Sequence, residues 1–207
     1  MSELLDITPP ITTRLAVWPG DTPPTREVLC EIERGATVTL STLRATVHLG
    51  AHADGPNHYG ARAPSIERQP LERYLGLCEV VRARIGRGGR VTMHDLARRP
   101  TAPRVLIATE TFPDPEQWSE DFAALDPALV DAFADQGVMT IGIDTPSVDL
   151  FSSKDLPAHK RFLARDVAIL EGLRLGHVPD GIYELIALPL PLVGFDASPV
   201  RAVLRTL

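Results

Sequence analysis

The sequence predicts an α/β domain, strand-rich, with a mixed sheet and few short helices. Short apolar runs bounded by turn residues recur along the chain, each too short for a helix. The stretches with helical start and stop signals are few and short. Strands therefore outnumber helices, and the two kinds are interspersed.

In chain order, Pro9, Pro10, Pro19, Pro23 and Pro24 rule out a helix in the first 25 residues, which read as extended segments and turns around Trp18-Pro19-Gly20-Asp21. From Glu27 to Val47 rough alternation of Val, Leu, Ile and Thr, broken at Arg34-Gly35, predicts a strand pair. CEVVRARI (78–85) is a further strand. Gly86-Arg87-Gly88-Gly89 follows it, but Val91 stands where a GxGxxG loop needs its last glycine and no GK[ST] follows, so a tight connection is expected. Thr92 is expected to start a short helix, and RVLIAT (104–109) a buried strand. Asp126-Pro127 pairs an N-cap with proline at the first helical position, and Gly137 ends that helix near Asp135. VMTIGI (138–143) is a central strand, residues 157–165 a helix, and AIL (168–170) a strand leading into Glu171. YELIALPLPLVGF (183–195) and VRAVLRTL (200–207) complete the expected strands.

At 207 residues and 44% hydrophobic, the chain is expected to form one domain, 1–207, with no repeat and no linker long enough to divide it. A formal net charge of -6 argues against nucleic acid or an anionic membrane as partner. Cys30 and Cys78, far apart and in no CxxC pair, read as ordinary buried thiols of a reducing compartment. No basic, apolar leader and no long apolar run is seen, so a cytoplasmic protein is expected.

The chemistry concentrates in HLGAHADGPNH (48–58), which holds three of the six histidines where even spreading would put about 0.3. Gly50, Gly55 and Pro56 disfavour a helix, so the backbone is expected to be extended, leaving a strand that ends near Val47. In an extended chain His48, Gly50, His52 and Asp54 share one face, and Gly50 leaves room for a metal or substrate to approach. Two imidazoles and a carboxylate suit Zn²⁺ best, with Mn²⁺, Fe²⁺ and Co²⁺ as alternatives, whereas a bland reading is a polar loop whose histidines cap turns. His58 has the same parity beyond a proline bend and is either a fourth ligand or a free acid/base imidazole. His94 and His177 read as surface residues; His159 alone reads as one side of a solvated helix. Glu171 interrupts the apolar run AILEGL, where an unpaired carboxylate carries a desolvation cost that a cation would relieve.

HLGAHADGPNH resembles the HxGxHxDxPxH signature of the cyclase-like metal-dependent hydrolases, with Gly55 between Asp54 and Pro56 and Ala51 where many members have threonine. Within that family the chain is most similar to the bacterial arylformamidases (kynurenine formamidases). WPGDTP (18–23), IGIDTPSVD (141–149), LPAHKRFL (156–163) and ILEGL (169–173) follow in the same order, so the likeness runs nearly end to end. The resemblance implies two zinc ions per subunit, held by His48, His52, Asp54, His159 and Glu171, with both carboxylates reaching both metals. It also implies His58 as catalytic acid/base, Trp18 as a substrate contact, a swivelling β/β/α fold and a homodimer.

The expected reaction is hydrolysis of N-formyl-L-kynurenine to L-kynurenine and formate. The chain has no GxSxG elbow, which argues against a serine-nucleophile route. Trp18 in a rigid turn would offer a flat wall to an anilide ring, or else sit in the core. The alternatives are a related hydrolase of isatin-type or cyclic-imide substrates, and a metal-binding protein without turnover.

Overall fold

The computed structural model describes residues 2–207. Its elements are β1 (Leu4–Asp6), β2 (Thr25–Cys30), β3 (Leu40–Arg44), β4 (His52–Asp54), β5 (Leu75–Arg82), β6 (Arg90–Val91), β7 (Arg104–Ala108), β8 (Ala124–Leu125), α1 (Pro127–Asp135), β9 (Thr140–Ile143), α2 (Pro157–Arg165), β10 (Ala168–Glu171), β11 (Gly181–Ile186), β12 (Ala197–Pro199) and β13 (Val203–Thr206). Nine strands form one sheet in the order β1-β13-β11-β5-β7-β9-β10-β4-β12. The middle, β5-β7-β9-β10, is parallel, and the strands on either side join antiparallel. The expected mixed, strand-rich sheet with few helices is what the chain forms.

The central strands bury both faces, which is why β7 reads RVLIA and β9 TIGI without a polar alternation. One face carries Val81, Val105, Ile107, Ile141 and Ile169 against Leu129 and Phe133 of α1 and Phe162 of α2. The other carries Val80, Leu106, Ala53 and Leu170 in one cluster with Leu185 and Leu204. β4 and β10 are far from β11 and β13 in strand order, so a shared core means that the sheet curls on itself. Cutting Phe133 or Phe162 to alanine in such a core costs about 3–5 kcal/mol.

α1 starts as its sequence dictates: the Asp126 side chain accepts from Ala128 N at 2.8 Å, Pro127 opens the first turn, and Gly137 follows at φ 83°. Residues 157–165 are helical as expected. Several expectations fail. Thr92 starts a turn, not a helix: its N–H and hydroxyl both donate to Asp95 Oδ2 at 2.7 Å, as at a helix start, but the chain does not continue into helical turns. The strand expected over 183–195 ends at Ile186, and Pro189 and Pro191 lie in irregular chain beyond it, unable to donate to a ladder. Within 200–207 only Val203–Thr206 pairs, and β12 was not anticipated. Cys78 is buried, with its thiol pushed up to about 12 by that burial, but Cys30 is only partly covered; both are free. No described helix is long and apolar enough to cross a membrane.

Candidate metal centre

The signature segment is not one extended run. β3 ends at Arg44, residues 45–51 are irregular, and Gly50 sits in the left-handed region at φ 57°. A Cβ at Gly50 would stand 3.1 Å from Pro9 Cγ and 3.3 Å from Leu15 Cδ2, so this glycine serves a tight turn, and it also borders the cavity beside the cluster. Strand parity therefore holds for His52 and Asp54 only, and His48 reaches the same point from the far side of the turn. The turn also meets the end of β10: a Cβ on Gly172, at φ 65°, would lie 2.2 Å from Gly50 O.

Sheet register does the rest. β4 lies between β10 and β12, and His52 pairs directly with Glu171, placing the two side chains on one face. Asp54 pairs with Ala197, whose neighbour Asp196 takes the Gly55 N–H on its carbonyl at 2.7 Å. α2 delivers His159 from its first turn.

The two carboxylates each face imidazoles from two sides. Asp54 Oδ1 is 3.3 Å from His48 Nδ1 and 3.6 Å from His52 Nε2, while Oδ2 is 3.6 Å from His159 Nε2. Glu171 Oε2 is 3.3 Å from His52 Nε2 and Oε1 is 3.7 Å from His159 Nε2. His52, Asp54, His159 and Glu171 are buried and His48 half-buried. The His58 side chain is 35% exposed; its Nδ1 faces Asp196 Oδ2 at 3.4 Å, and a ring nitrogen lies within 4.8 Å of donor atoms of Asp54 and His159.

Burial disfavours a charged imidazole at His48, but Asp54 and Asp196 outweigh it and lift its pKa to about 9. Burial likewise opposes charge on His159, where Asp149 and Asp54 prevail and raise the pKa to about 10. Asp54 is held well below the carboxylate range despite complete burial, by His159 and His48. The centre thus has a negative field that draws protons onto its imidazoles.

Those protons do not satisfy it. His52 Nδ1 donates to Gly50 O at 2.8 Å, which leaves Nε2 as the inward-facing atom. His52 Nε2 and both oxygens of Asp54 are buried without a hydrogen-bond partner. Buried polar atoms left this way cost about 1–3 kcal/mol each. A divalent cation among them would satisfy all three, and imidazole with carboxylate is a donor set that zinc and its neighbours accept. The residues fit a metal.

The centre opens into a cavity of about 590 Å³. Aromatic rings of Trp18, Phe112 and Trp118 also line it; Trp18 lies edge-on to Trp118 with ring centres 5.3 Å apart and tilted over Phe151 at 5.0 Å. Trp18 is 36% exposed and lines this cavity, so it is not a core tryptophan. His94 and His177 are exposed, the latter at the cavity rim.

The structure brings the sequence-derived candidates together: His48, His52, Asp54, His58, His159 and Glu171 lie around one point, and Trp18 lines the same cavity. Two neighbours were missed. Asp196, which faces both His48 Nε2 (3.1 Å) and His58, comes from an irregular segment that gave no signal. Asp149, bonded to His159, ended the IGIDTPSVD block and carried no separate indication.

Residues 5–150 match the model of the Cyclase family, described as "Putative cyclase". A structure described as "The Structure Of Potential Metal-Dependent Hydrolase With Cyclase Activity" is 28% identical with a TM-score of 0.84, covering 99% of this chain and 98% of its own. A "predicted metal-dependent hydrolase from Bacillus stearothermophilus" is 27% identical with a TM-score of 0.82 over the same shares. An isatin hydrolase bound to the product analogue thioisatinate, 16% identical, has the same fold at a TM-score of 0.83 over 99% of this chain and 92% of its own. With the family model matched over residues 5–150 and the fold shared with these structures nearly end to end, this chain belongs to the Cyclase family of metal-dependent hydrolases.

Proposed function

We propose that the chain is an arylformamidase, hydrolysing N-formyl-L-kynurenine to L-kynurenine and formate in tryptophan degradation. The observation that carries this reading is one cavity lined both by metal-type donors and by aromatic rings. A formanilide is a polar, hydrolysable group on a flat apolar ring, and each half has a matching wall.

His48, His52, Asp54, His159 and Glu171 would hold the metal. The two-sided placement of Asp54 and Glu171 between imidazoles supports two ions, and zinc is the preferred element, with Mn²⁺ or another divalent ion able to substitute. A divalent ion there supplies Lewis acidity, which polarises an amide oxygen and makes water acidic enough to attack near neutral pH. His58 is the acid/base: it is far more exposed than the buried donors and sits beside them. It takes the proton of the attacking water and returns it to the anilide nitrogen as the C–N bond breaks, a role worth about 10²- to 10⁴-fold in rate. Trp18 packs against the ring of the substrate and helps exclude water.

Formate release from N-formyl-L-kynurenine by metal-replete protein tests the proposal, together with His58→Ala, which should lose turnover by that factor while keeping its metal. Metal-replete protein that releases no formate from any formanilide would instead indicate a metal-binding protein without turnover. A second reading, hydrolysis of a cyclic aryl amide of the isatin type, draws support from the aromatic wall and the isatin hydrolase of the same fold. A higher kcat/KM for isatin than for N-formyl-L-kynurenine would select it.

The proposal extends to a cytoplasmic homodimer. The hairpin β2–β3 pairs with no other strand and exposes Leu29, Val38, Leu40 and Leu43, each more than half exposed, and a two-stranded hairpin is marginal without support. Sedimentation equilibrium should give a dimer, and Leu29→Glu with Leu43→Glu should give a monomer.

A further inference from the structure

Asp149 is fully buried just outside the donor cluster, and its carboxylate accepts from four donors. Oδ1 takes Ala158 N at 3.1 Å and Arg90 Nη1 at 3.1 Å; Oδ2 takes His159 N at 3.0 Å and His159 Nδ1 at 2.9 Å. A carboxylate cannot donate, so the proton on Nδ1 is fixed by the partner and Nε2 is the atom turned toward Asp54 and Glu171. The same group repairs a defect in α2. Leu156, at the N-cap position, is in the left-handed region at φ 46° and offers no polar atom, so the first N–H groups of the helix depend on Asp149 from eight residues upstream.

We propose that Asp149 is the positioning residue of the metal centre: one carboxylate caps α2 and locks the His159 ring with Nε2 inward, while Arg90 balances its buried charge. The inference rests on the reading of the cluster as a divalent-metal site and is independent of the substrate. Both oxygens are committed to donors, which makes asparagine a poor substitute. Its amide must set a donor against either the His159 pair or the Ala158 and Arg90 pair, so it surrenders the ring lock or the cap and counter-charge. Outer partners of this kind set the tautomer and basicity of a ligating histidine.

Zinc affinity of the purified protein, read by chelator competition, tests this without any assay of turnover. Asp149→Asn should weaken zinc binding about 10- to 100-fold. Phe162→Leu loosens the same helix from its core face and should lower Tm while leaving zinc affinity within about twofold of wild type. The ring nitrogens of His159, observed by ¹⁵N NMR in zinc-loaded wild-type protein, give a reading that needs no variant: protonated Nδ1 and metal on Nε2 are expected. Metal on Nδ1, wild-type affinity in Asp149→Asn, or an equal loss in Phe162→Leu would overturn the proposal. Failure of wild-type protein to bind zinc at all would overturn the metal reading along with it, an outcome distinct from the other three.

Discussion

The two walls of the cavity are built by different means. The donor wall stands mainly on regular structure: His52 and Asp54 on β4, Glu171 paired with His52 on β10, and His159 on the first turn of α2 are buried and placed by register or helix geometry, and His48 alone comes from the irregular turn before β4. The aromatic wall stands on connections, with Trp18, Phe112 and Trp118 all outside strands and helices, held by edge-on contacts with one another and packed against Phe151. Metal chemistry tolerates errors of only about half an ångström, which a sheet can guarantee. Recognition of a flat ring needs apolar area, which loops can supply and can vary without disturbing the sheet.

The donor wall should break completely and the aromatic wall by degrees. Asp54→Asn keeps the volume but removes the charge that faces three imidazoles and turns one of the two acceptor oxygens into an NH₂ donor. It should abolish stoichiometric metal, seen by elemental measurement, and lower formate release by at least about 10³-fold, since the attacking water then has no activation. Retained metal and activity would mean that the donor wall is not the centre of the chemistry.

A smaller effect separates the walls by pH. In metal-free protein His48 and His159 have pKa values raised from 6.5 to about 9 and about 10 by the surrounding carboxylates. A raised pKa adds stability that is complete below the unfolded value and disappears as pH climbs through the folded one. Metal-free Tm should therefore fall from pH 6.5 toward pH 10, and zinc should flatten the fall, because ligating imidazoles are unprotonated. Asp54→Asn should weaken the dependence and Trp18→Ala should leave it unchanged. An identical pH profile with and without zinc would contradict the assignment of these two histidines to the centre.

How much of this was legible in the sequence follows the same division. The helix at 127–135 was readable because Asp126, Pro127 and Gly137 act locally. The candidate donors of the signature stood out because two imidazoles and a carboxylate crowd one short segment, and Glu171 because it is costly where it stands; His159 by itself read as one side of a solvated helix, whereas its ring is buried, and only the family resemblance pointed to it. The geometry behind them was not legible. A single left-handed residue, Gly50, breaks the parity argument, and the turn it makes, which lies close to Pro9 and Leu15, brings His48 to the cluster from outside the strand. The strand pairing that sets Glu171 beside His52 spans over a hundred residues, as do the approach of Asp196 and the antiparallel seat of β12. Local pattern carries no information on such contacts. The run YELIALPLPLVGF misled for a related reason: apolar content gave it the look of a strand, while two prolines deny it the donors a ladder needs.

The aromatic wall gives the mildest test and the one most specific to the substrate. Trp18 closes no core, being 36% exposed, and touches no donor, so Trp18→Ala should leave metal content and Tm nearly unchanged. What it removes is a flat surface for a ring, and an aromatic pair contributes about 0.5–1.5 kcal/mol beyond its buried area, or up to about tenfold in affinity. The loss should appear mainly in KM for N-formyl-L-kynurenine, with kcat less affected, and Trp18→Phe should recover most of it. A loss of kcat with unchanged KM would place Trp18 at the reacting group, and no loss at all would move the ring of the substrate off Trp18 to the rest of this wall, toward Phe112 and Trp118.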